Sequence, residues 1–241
     1  MRKMSFGLIA LTTALALTPG LVFSAELTSA DVSNKIGDGP DGKGNTADDT
    51  WQFWLELVHA KGKFIRLDRY STDVPKAGVK GKITGPIAGM MPSPDDTEGW
   101  IYHSDWDGRF EGVWADKSKN EVLAYPYVEK GSHEAVAITY TVPESGTYKI
   151  SGGVTDAHVW EYKKHDGLLW ILEVANQGDK VKELAKGKPI GDGGGRPESD
   201  TFNVENVELE KGQLVRLVID PINWWGSDMA RIDSFKIEKT D

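Results

Sequence analysis

Trp224 and Trp225 stand side by side between Asp220-Pro221 and Gly226-Ser227-Asp228, two chain breakers that place the pair on a loop. An indole is a flat, rigid, apolar plate with a polar edge, the surface on which the C–H faces of a sugar ring stack. Neighbours in extended backbone point to opposite sides, so at least one of the two rings belongs near solvent. The alternative is that both plug the end of a core. Trp160 and Tyr162 make a second candidate platform in a charged segment, Glu161 to Gly167. Asp156, His158, His165 and Asp166 surround them, and carboxylates and imidazoles can grip vicinal hydroxyls with paired hydrogen bonds. The same side chains could serve as general acid and base, or form an ordinary wet loop. Asn223 beside the tryptophan pair, and Arg196 and Asp200 on a later Gly-rich loop, are similar cases. Trp170 reads as core, while Trp100, Trp106 and Trp114 divide between faces that spacing cannot tell apart.

A second chemistry is suggested by Asp38, Asp41, Asn45, Asp48 and Asp49, which fall in the Gly-rich stretch Gly37 to Thr50. Calcium takes six to eight oxygen ligands, and short acidic side chains on such a loop can wrap it. The spacing is not that of an EF-hand, because Pro40 and Lys43 stand where ligands should fall. A solvated acidic turn is the other reading.

Signatures of catalysis are absent. No G-x-S-x-G elbow and no H-E-x-x-H zinc motif occurs, and Gly191 to Gly195 is followed by no GK[ST]. Pairs of carboxylates prove nothing among 37 acidic residues. His59 or His103 with Tyr70 or Tyr102 could form the base and acid of a lyase. The chain has no cysteine, which removes disulfides, thiol catalysis, Cys-zinc sites and lipid attachment together.

The elements that must position these groups are strands. Arg2 and Lys3 followed by the apolar run Phe6 to Leu17 read as an export signal, with cleavage after Ser24 or Ala25. Residues 26–241 then form one domain, exported to the periplasm or beyond, and the lack of disulfides suggests a bacterial source. Losing Arg2 and Lys3 takes the formal charge from −9 to −11, a balance that repels nucleic acid. No later segment is apolar for long enough to cross a membrane as a helix.

Ala135 to Val154 reads as two half-buried antiparallel strands, with Val136, Ile138, Tyr140 and Val142 alternating before Pro143-Glu144-Ser145-Gly146 and Tyr148, Ile150 and Val154 after it. A sheet with one wet face needs a second layer, so the expected class is all-β, a sandwich of about ten strands. Trp51, Phe53, Leu55 and Leu57 alternate as a strand, although a helix would also gather Trp51, Trp54, Leu55 and Val58. Phe64 to Leu67 is its partner after a turn at Lys61 to Lys63. Trp100 to Trp114 is a strand pair broken at Asp107-Gly108, and Glu121 to Val128 another strand. Leu168 to Val174 is apolar on both faces apart from Glu173, which marks a covered central strand. Lys180 to Lys186 reads as one helical turn. Phe202 to Leu209 changes parity near Asn206, the mark of a bulge. Leu214 to Asp220 and Ile232 to Glu238 complete the set. Residues 71–98, rich in Pro and Gly, form a loop long enough to suggest function.

Residues 121–238 resemble the galactose-binding-like jelly-roll sandwiches that include many carbohydrate-binding modules. The likeness is carried by Pro143-Glu144-Ser145-Gly146-Thr147-Tyr148, by Leu209-Glu210-Lys211-Gly212-Gln213-Leu214 and by the closing Arg231-Ile232-Asp233-Ser234-Phe235-Lys236-Ile237. It covers about half the chain and rests on pattern, not on a unique signature. The resemblance implies a jelly-roll sandwich, a glycan partner and a structural calcium near the chain ends, to which Asp228 and Asp233 could contribute. The expectation is a secreted, non-catalytic glycan-binding protein. A polysaccharide lyase or hydrolase using residues 71–98 as a lid, and an envelope or matrix protein that docks a protein partner, are the alternatives.

Overall fold

The structure is a computed structural model of the chain. It describes residues 23–56, 62–67, 69–71, 97–101, 112–126, 134–157, 167–176, 181–191, 198–222 and 229–241, with 69–71 and 97–101 as backbone alone. It is all-β, as expected. Fourteen strands, numbered along the chain, and one helical turn, α1 (Ser29–Val32), are described.

Two antiparallel sheets face each other. The six-stranded sheet runs β11 (Val181–Lys186), β10 (Leu169–Ala175), β13 (Leu214–Asp220), β8 (Val136–Thr141), β2 (Trp51–Glu56), β3 (Phe64–Arg66). The eight-stranded sheet runs β12 (Ser199–Leu209), β9 (Gly146–Asp156), β14 (Ala230–Lys239), β7 (Glu121–Tyr125), β6 (Gly112–Asp116), β5 (Thr97–Ile101), β4 (Arg69–Ser71). The short β1 (Ser24–Glu26) also pairs with β14, so both expected cleavage points fall within a strand.

The core lies between the sheets because the period of two sends alternate residues inward. Trp51, Phe53 and Leu55 of β2, Val136, Ile138 and Tyr140 of β8, and Trp170, Leu172 and Val174 of β10 meet Tyr148, Ile150, Phe202, Phe235 and Ile237 from the opposite layer. Aromatic rings bridge the layers. Trp51 lies 5.2 Å from Tyr140 and 5.4 Å from Phe235, and Trp170 lies 5.1 Å from Phe202, all tilted. Trp170 is core, as its sequence context suggested, and its indole N–H donates to Asp200 at 3.0 Å. Trp114 joins a second buried cluster with Leu123, Tyr125 and Met229.

Three expectations need correction. The strands on either side of Pro143-Gly146 are not a hairpin: β8 pairs with β2 and β13, whereas β9 pairs with β12 and β14. The turn is a crossing between layers. Val142 N–H donates to Gln213 O at 2.9 Å and holds the exit in one sheet, while Tyr148 Oη donates to Glu144 O at 2.7 Å and pins the corner. Nor does β8 have a wet face, since Ala137 and Thr139, outward in parity, are fully buried. The segment read as a helical turn is β11, drawn into pairing along the open edge of β10. β10 is therefore the second strand from an edge, and its outward residues Leu169, Ile171 and Glu173 are half-buried.

Other expectations hold. β2 and β3 pair, as do β5 and β6. The bulge near Asn206 is present, with a register shift between Val204 and Val207 and Asn206 at φ 57. Residues 72–96, expected to be a long loop, lie outside the described residues, but they leave and rejoin at the paired strands β4 and β5.

Candidate ligand-binding face

The parity that sends Trp51, Phe53 and Leu55 inward sends Gln52, Trp54 and Glu56 to the outer face of the six-stranded sheet. Register then builds rows across that face. Gln52 lies opposite Thr139, Thr139 opposite Arg216, and Arg216 opposite Glu173. In the next row Arg66, Trp54, Ala137, Val218 and Ile171 follow one another. Trp54, Phe64 and Ile171 pack on a small buried cluster of Ala135, Ala137 and Val218, so an aromatic platform lies on the outside of the sandwich.

Above this platform is a hollow of about 620 Å³, within the size range of ligand sites. Trp54, Phe64, Lys63, Arg66 and Arg216 are among the residues that line it, together with Thr141, Asn176 and Leu214. The guanidinium of Arg216 sits 5.9 Å from the Trp54 ring centre and 5.3 Å from that of Phe64. Its Nη1 also meets Glu173 Oε1 at 3.4 Å. Burial raises the Glu173 carboxyl above its ordinary value, and Arg216 opposes that rise only in part. Beneath the hollow, Trp54 Nε1, Thr139 Oγ1, Arg66 Nη1 and Arg216 Nε are buried without a hydrogen-bond partner. Buried polar groups are normally paired, so four unpaired atoms on one face make it a candidate site.

The acidic loop walls one side of the hollow. Gln52 Nε2 donates to Ala47 O and Asp49 O, each at 3.1 Å, and to Thr141 Oγ1 at 2.8 Å, which clamps the loop to the sheet. Inside the loop, Asp49 Oδ1 accepts from the N–H groups of Asp38 (2.8 Å) and Gly39 (3.1 Å), and Oδ2 accepts from Thr46 N–H (2.6 Å). Asp38 Oδ1 accepts from Thr50 N–H at 2.8 Å, and Asp41 Oδ1 from Lys43 N–H at 2.8 Å. Asp48 accepts from Thr46 Oγ1 and Asp41 N–H, and that hydroxyl holds its carboxyl below the usual range.

Asn45 turns inward. Its Nδ2 donates to Phe53 O and Leu67 O, and its Oδ1 accepts from Phe53 N–H at 2.6 Å. Asp38, Asn45 and Asp49 line a hollow of about 50 Å³ beside α1, from which Asp41 and Asp48 stand apart. Among the described residues no three His, Cys, Asp or Glu side chains come together to hold a metal. Asp41 Oδ1, Asp48 Oδ1 and Asp49 Oδ2 gather on the Thr46 hydroxyl, at 3.3 Å for Asp41 and 3.2 Å for Asp49, while Asn45 is taken up by the backbone of Phe53 and Leu67. Asp233, the other acid suggested for calcium, accepts from Arg231 Nε at 2.7 Å and Thr155 Oγ1 at 2.6 Å.

Of the expected sugar ligands, Asp156 alone is described, and it is 1% exposed. Gly191 packs so tightly on it that a Cβ there would sit 2.0 Å from Asp156 Oδ2. The Asp156 carboxylate therefore faces protein, not solvent. His158, Trp160, Tyr162, Asp166, Asn223, Trp224 and Trp225 lie outside the described residues, as do His165, Arg196, Asp228, His59, Tyr102 and His103. The strands that carry these segments enter and leave at one end of the sandwich, where Ala230 pairs with Asp156 and Leu169 with Asp220. The residues missed from sequence are Trp54, Phe64, Arg66 and Arg216. The alternation of β2 already held the signal for Trp54, because a core-facing Trp51 puts it on the opposite side.

No protein-family profile matches the chain, and no curated protein matches it. Similar solved structures include a family 61 carbohydrate-binding module in complex with β-1,4-galactotriose, at 14% identity over 50% of this chain and 70% of that one, TM-score 0.33. A family 29 carbohydrate-binding module is similar at 12% identity over 90% and 87%, TM-score 0.34. The TNF protein Eiger from S. frugiperda is similar at 17% identity over 48% and 69%, TM-score 0.29. Fold does not fix function, and the ligand has to be argued from the site of this chain.

Proposed function

We propose that this chain is an exported glycan-binding β-sandwich whose ligand lies across the outer face of the six-stranded sheet. The observation that carries this reading is the pair Trp54 and Phe64, half-buried on the outer side of the six-stranded sheet and lining a hollow of about 620 Å³. Sugar rings would stack on these aromatics, and hydroxyls would take hydrogen bonds from the polar side chains around them. A rigid sheet holds the platform with little reorganisation, which favours recognition of an extended chain. The face offers stacking and hydrogen bonds, and the reading is a non-catalytic one. Trp224, Trp225, Trp160 and Tyr162, with His158, Asp166 and Asn223, are proposed as a second contact region at the end of the sandwich. Export is proposed from Arg2, Lys3 and the run Phe6 to Leu17.

Isothermal titration against a panel of soluble plant, algal and bacterial polysaccharides tests the proposal. Binding should appear for at least one member and should vanish in Trp54→Ala while the melting temperature stays close to that of the parent. A folded protein that binds no member of the panel would overturn the reading.

A further inference from the structure

We infer that the ligand of the sheet face is an anionic glycan, one whose sugars carry a carboxylate or a sulfate. This rests on the glycan-binding reading above and narrows it. The chain as a whole has a formal charge of −9. The lining of the hollow has the opposite balance, with Lys63, Arg66 and Arg216 present and no Asp or Glu among the residues that form it. Carboxylates stand close by, among them Glu173 and Glu56 on the sheet and Asp48 on the acidic loop. Glu173 meets Arg216 through a single contact of 3.4 Å, and Glu56 accepts from Gly62 N–H. Neither touches Arg66 or Lys63 in any described ion pair.

Asp48 of the acidic loop feels the charge of Arg66, but no described ion pair holds Arg66. Its guanidinium lies 5.5 Å from the centre of the Trp54 ring, and its Nη1 has no hydrogen-bond partner. Arg66 lines the hollow, and a guanidinium there offers a fork of donors that can hold a carboxylate or a sulfate through charge-assisted hydrogen bonds. Placing that fork beside the indole allows one sugar unit to stack on Trp54 while its acidic substituent meets Arg66. A neutral glycan would leave the positive edge unmatched. Lys63, exposed at the rim, adds a point charge that steers an acidic chain to an otherwise repelling surface.

Three probes of equal length test this by titration: oligogalacturonate, a sulfated carrageenan oligosaccharide and a neutral galacto-oligosaccharide. At least one anionic probe should bind about 10-fold or more tighter than the neutral one, and the gap should narrow as salt rises from about 0.05 to about 0.5 M. Which anionic probe wins tells carboxylate from sulfate. Arg66→Gln should cost the anionic probe about 10-fold and any neutral probe much less, whereas Arg66→Lys, which keeps the charge and loses the fork, should recover part of that loss. Should Arg66→Gln fail to fold, Lys63→Gln, at an exposed position, reads the same charge through a smaller loss. A neutral probe that binds as tightly as the anionic ones, or an Arg66→Gln variant with parental affinity for them, overturns the inference and leaves glycan binding standing. Binding of none of the three, with none in the wider panel, overturns both.

Discussion

The guanidinium of Arg66 lies 5.5 Å from the centre of the Trp54 indole, paired with it across the outermost two strands of the six-stranded sheet. Each side chain fixes the other, by an attraction of about 0.5–2 kcal/mol. Trp54→Ala should therefore abolish glycan binding in titration and lower stability only modestly. Trp51→Ala, three residues earlier and facing the core, should lower stability by about 3–5 kcal/mol in urea denaturation. If Trp224→Ala and Trp225→Ala remove binding and Trp54→Ala does not, the ligand lies at the end of the sandwich instead.

Asp49 should prove structural. It is 2% exposed and accepts from three backbone N–H groups across the loop. Asp49→Ala strands those donors, and chemical denaturation should show a loss of about 2–4 kcal/mol. Asp41→Ala and Asp48→Ala, at exposed positions, should stay close to the parent.

Calcium should leave the melting temperature unchanged, as should EDTA. The carboxylates of the loop Gly37 to Thr50 are taken up by backbone N–H groups and by the Thr46 hydroxyl, and among the described residues no three acids are placed to hold a metal. A calcium-dependent rise in the melting temperature would show that the ion reorganises the loop.

Glu173 gives a pH signature. Burial raises its carboxyl above the ordinary value of 4.5, with Arg216 opposing, so folding disfavours the charged form. The contribution of Glu173 to stability is fullest below its unfolded value and is lost as pH rises through the raised folded value. Glu173→Gln cannot ionise. Its stability relative to the parent should therefore improve between pH 4 and pH 7 in parallel denaturation curves, and an opposite trend would show that the ion pair with Arg216 dominates.

Tyr140 is wholly buried and its hydroxyl has no hydrogen-bond partner. Tyr140→Phe removes that atom and keeps the ring contact with Trp51. The variant should match the parent or exceed it by about 1 kcal/mol. Destabilisation instead would point to a buried water on Oη.

Fold class was open to a reader of the chain, and so was much of the strand inventory. A period of two in Trp51 to Leu55 or Leu214 to Asp220 states that a strand exists and which residues share a face. The bulge at Asn206 was visible for the same reason, since an extra residue shifts parity locally. The pairing of strands was not visible. Val136 to Thr141 and Gly146 to Asp156 look alike whether they pair with each other or cross between layers, and the crossing depends on remote partners such as Gln213. Lys180 to Lys186 reads as a helical turn from sequence because the extended form of Val181 to Lys186 comes from the free edge of β10, not from its own propensity.

The site divides in the same way. Local parity determines that Trp51 and Trp54 face opposite ways, and the Gly and Asp content that Asp38 to Asp49 form a loop. Only the tertiary structure decides that Trp54 lies beside Phe64, Arg66 and Arg216, because these positions come from three strands brought together by register. Likewise, only packing decides that Asn45 is pinned to the backbone of Phe53 and that Asp156 is sealed by Gly191. A residue type announces what a side chain can do, but the direction it faces and the company it keeps are set by chain segments far away in sequence.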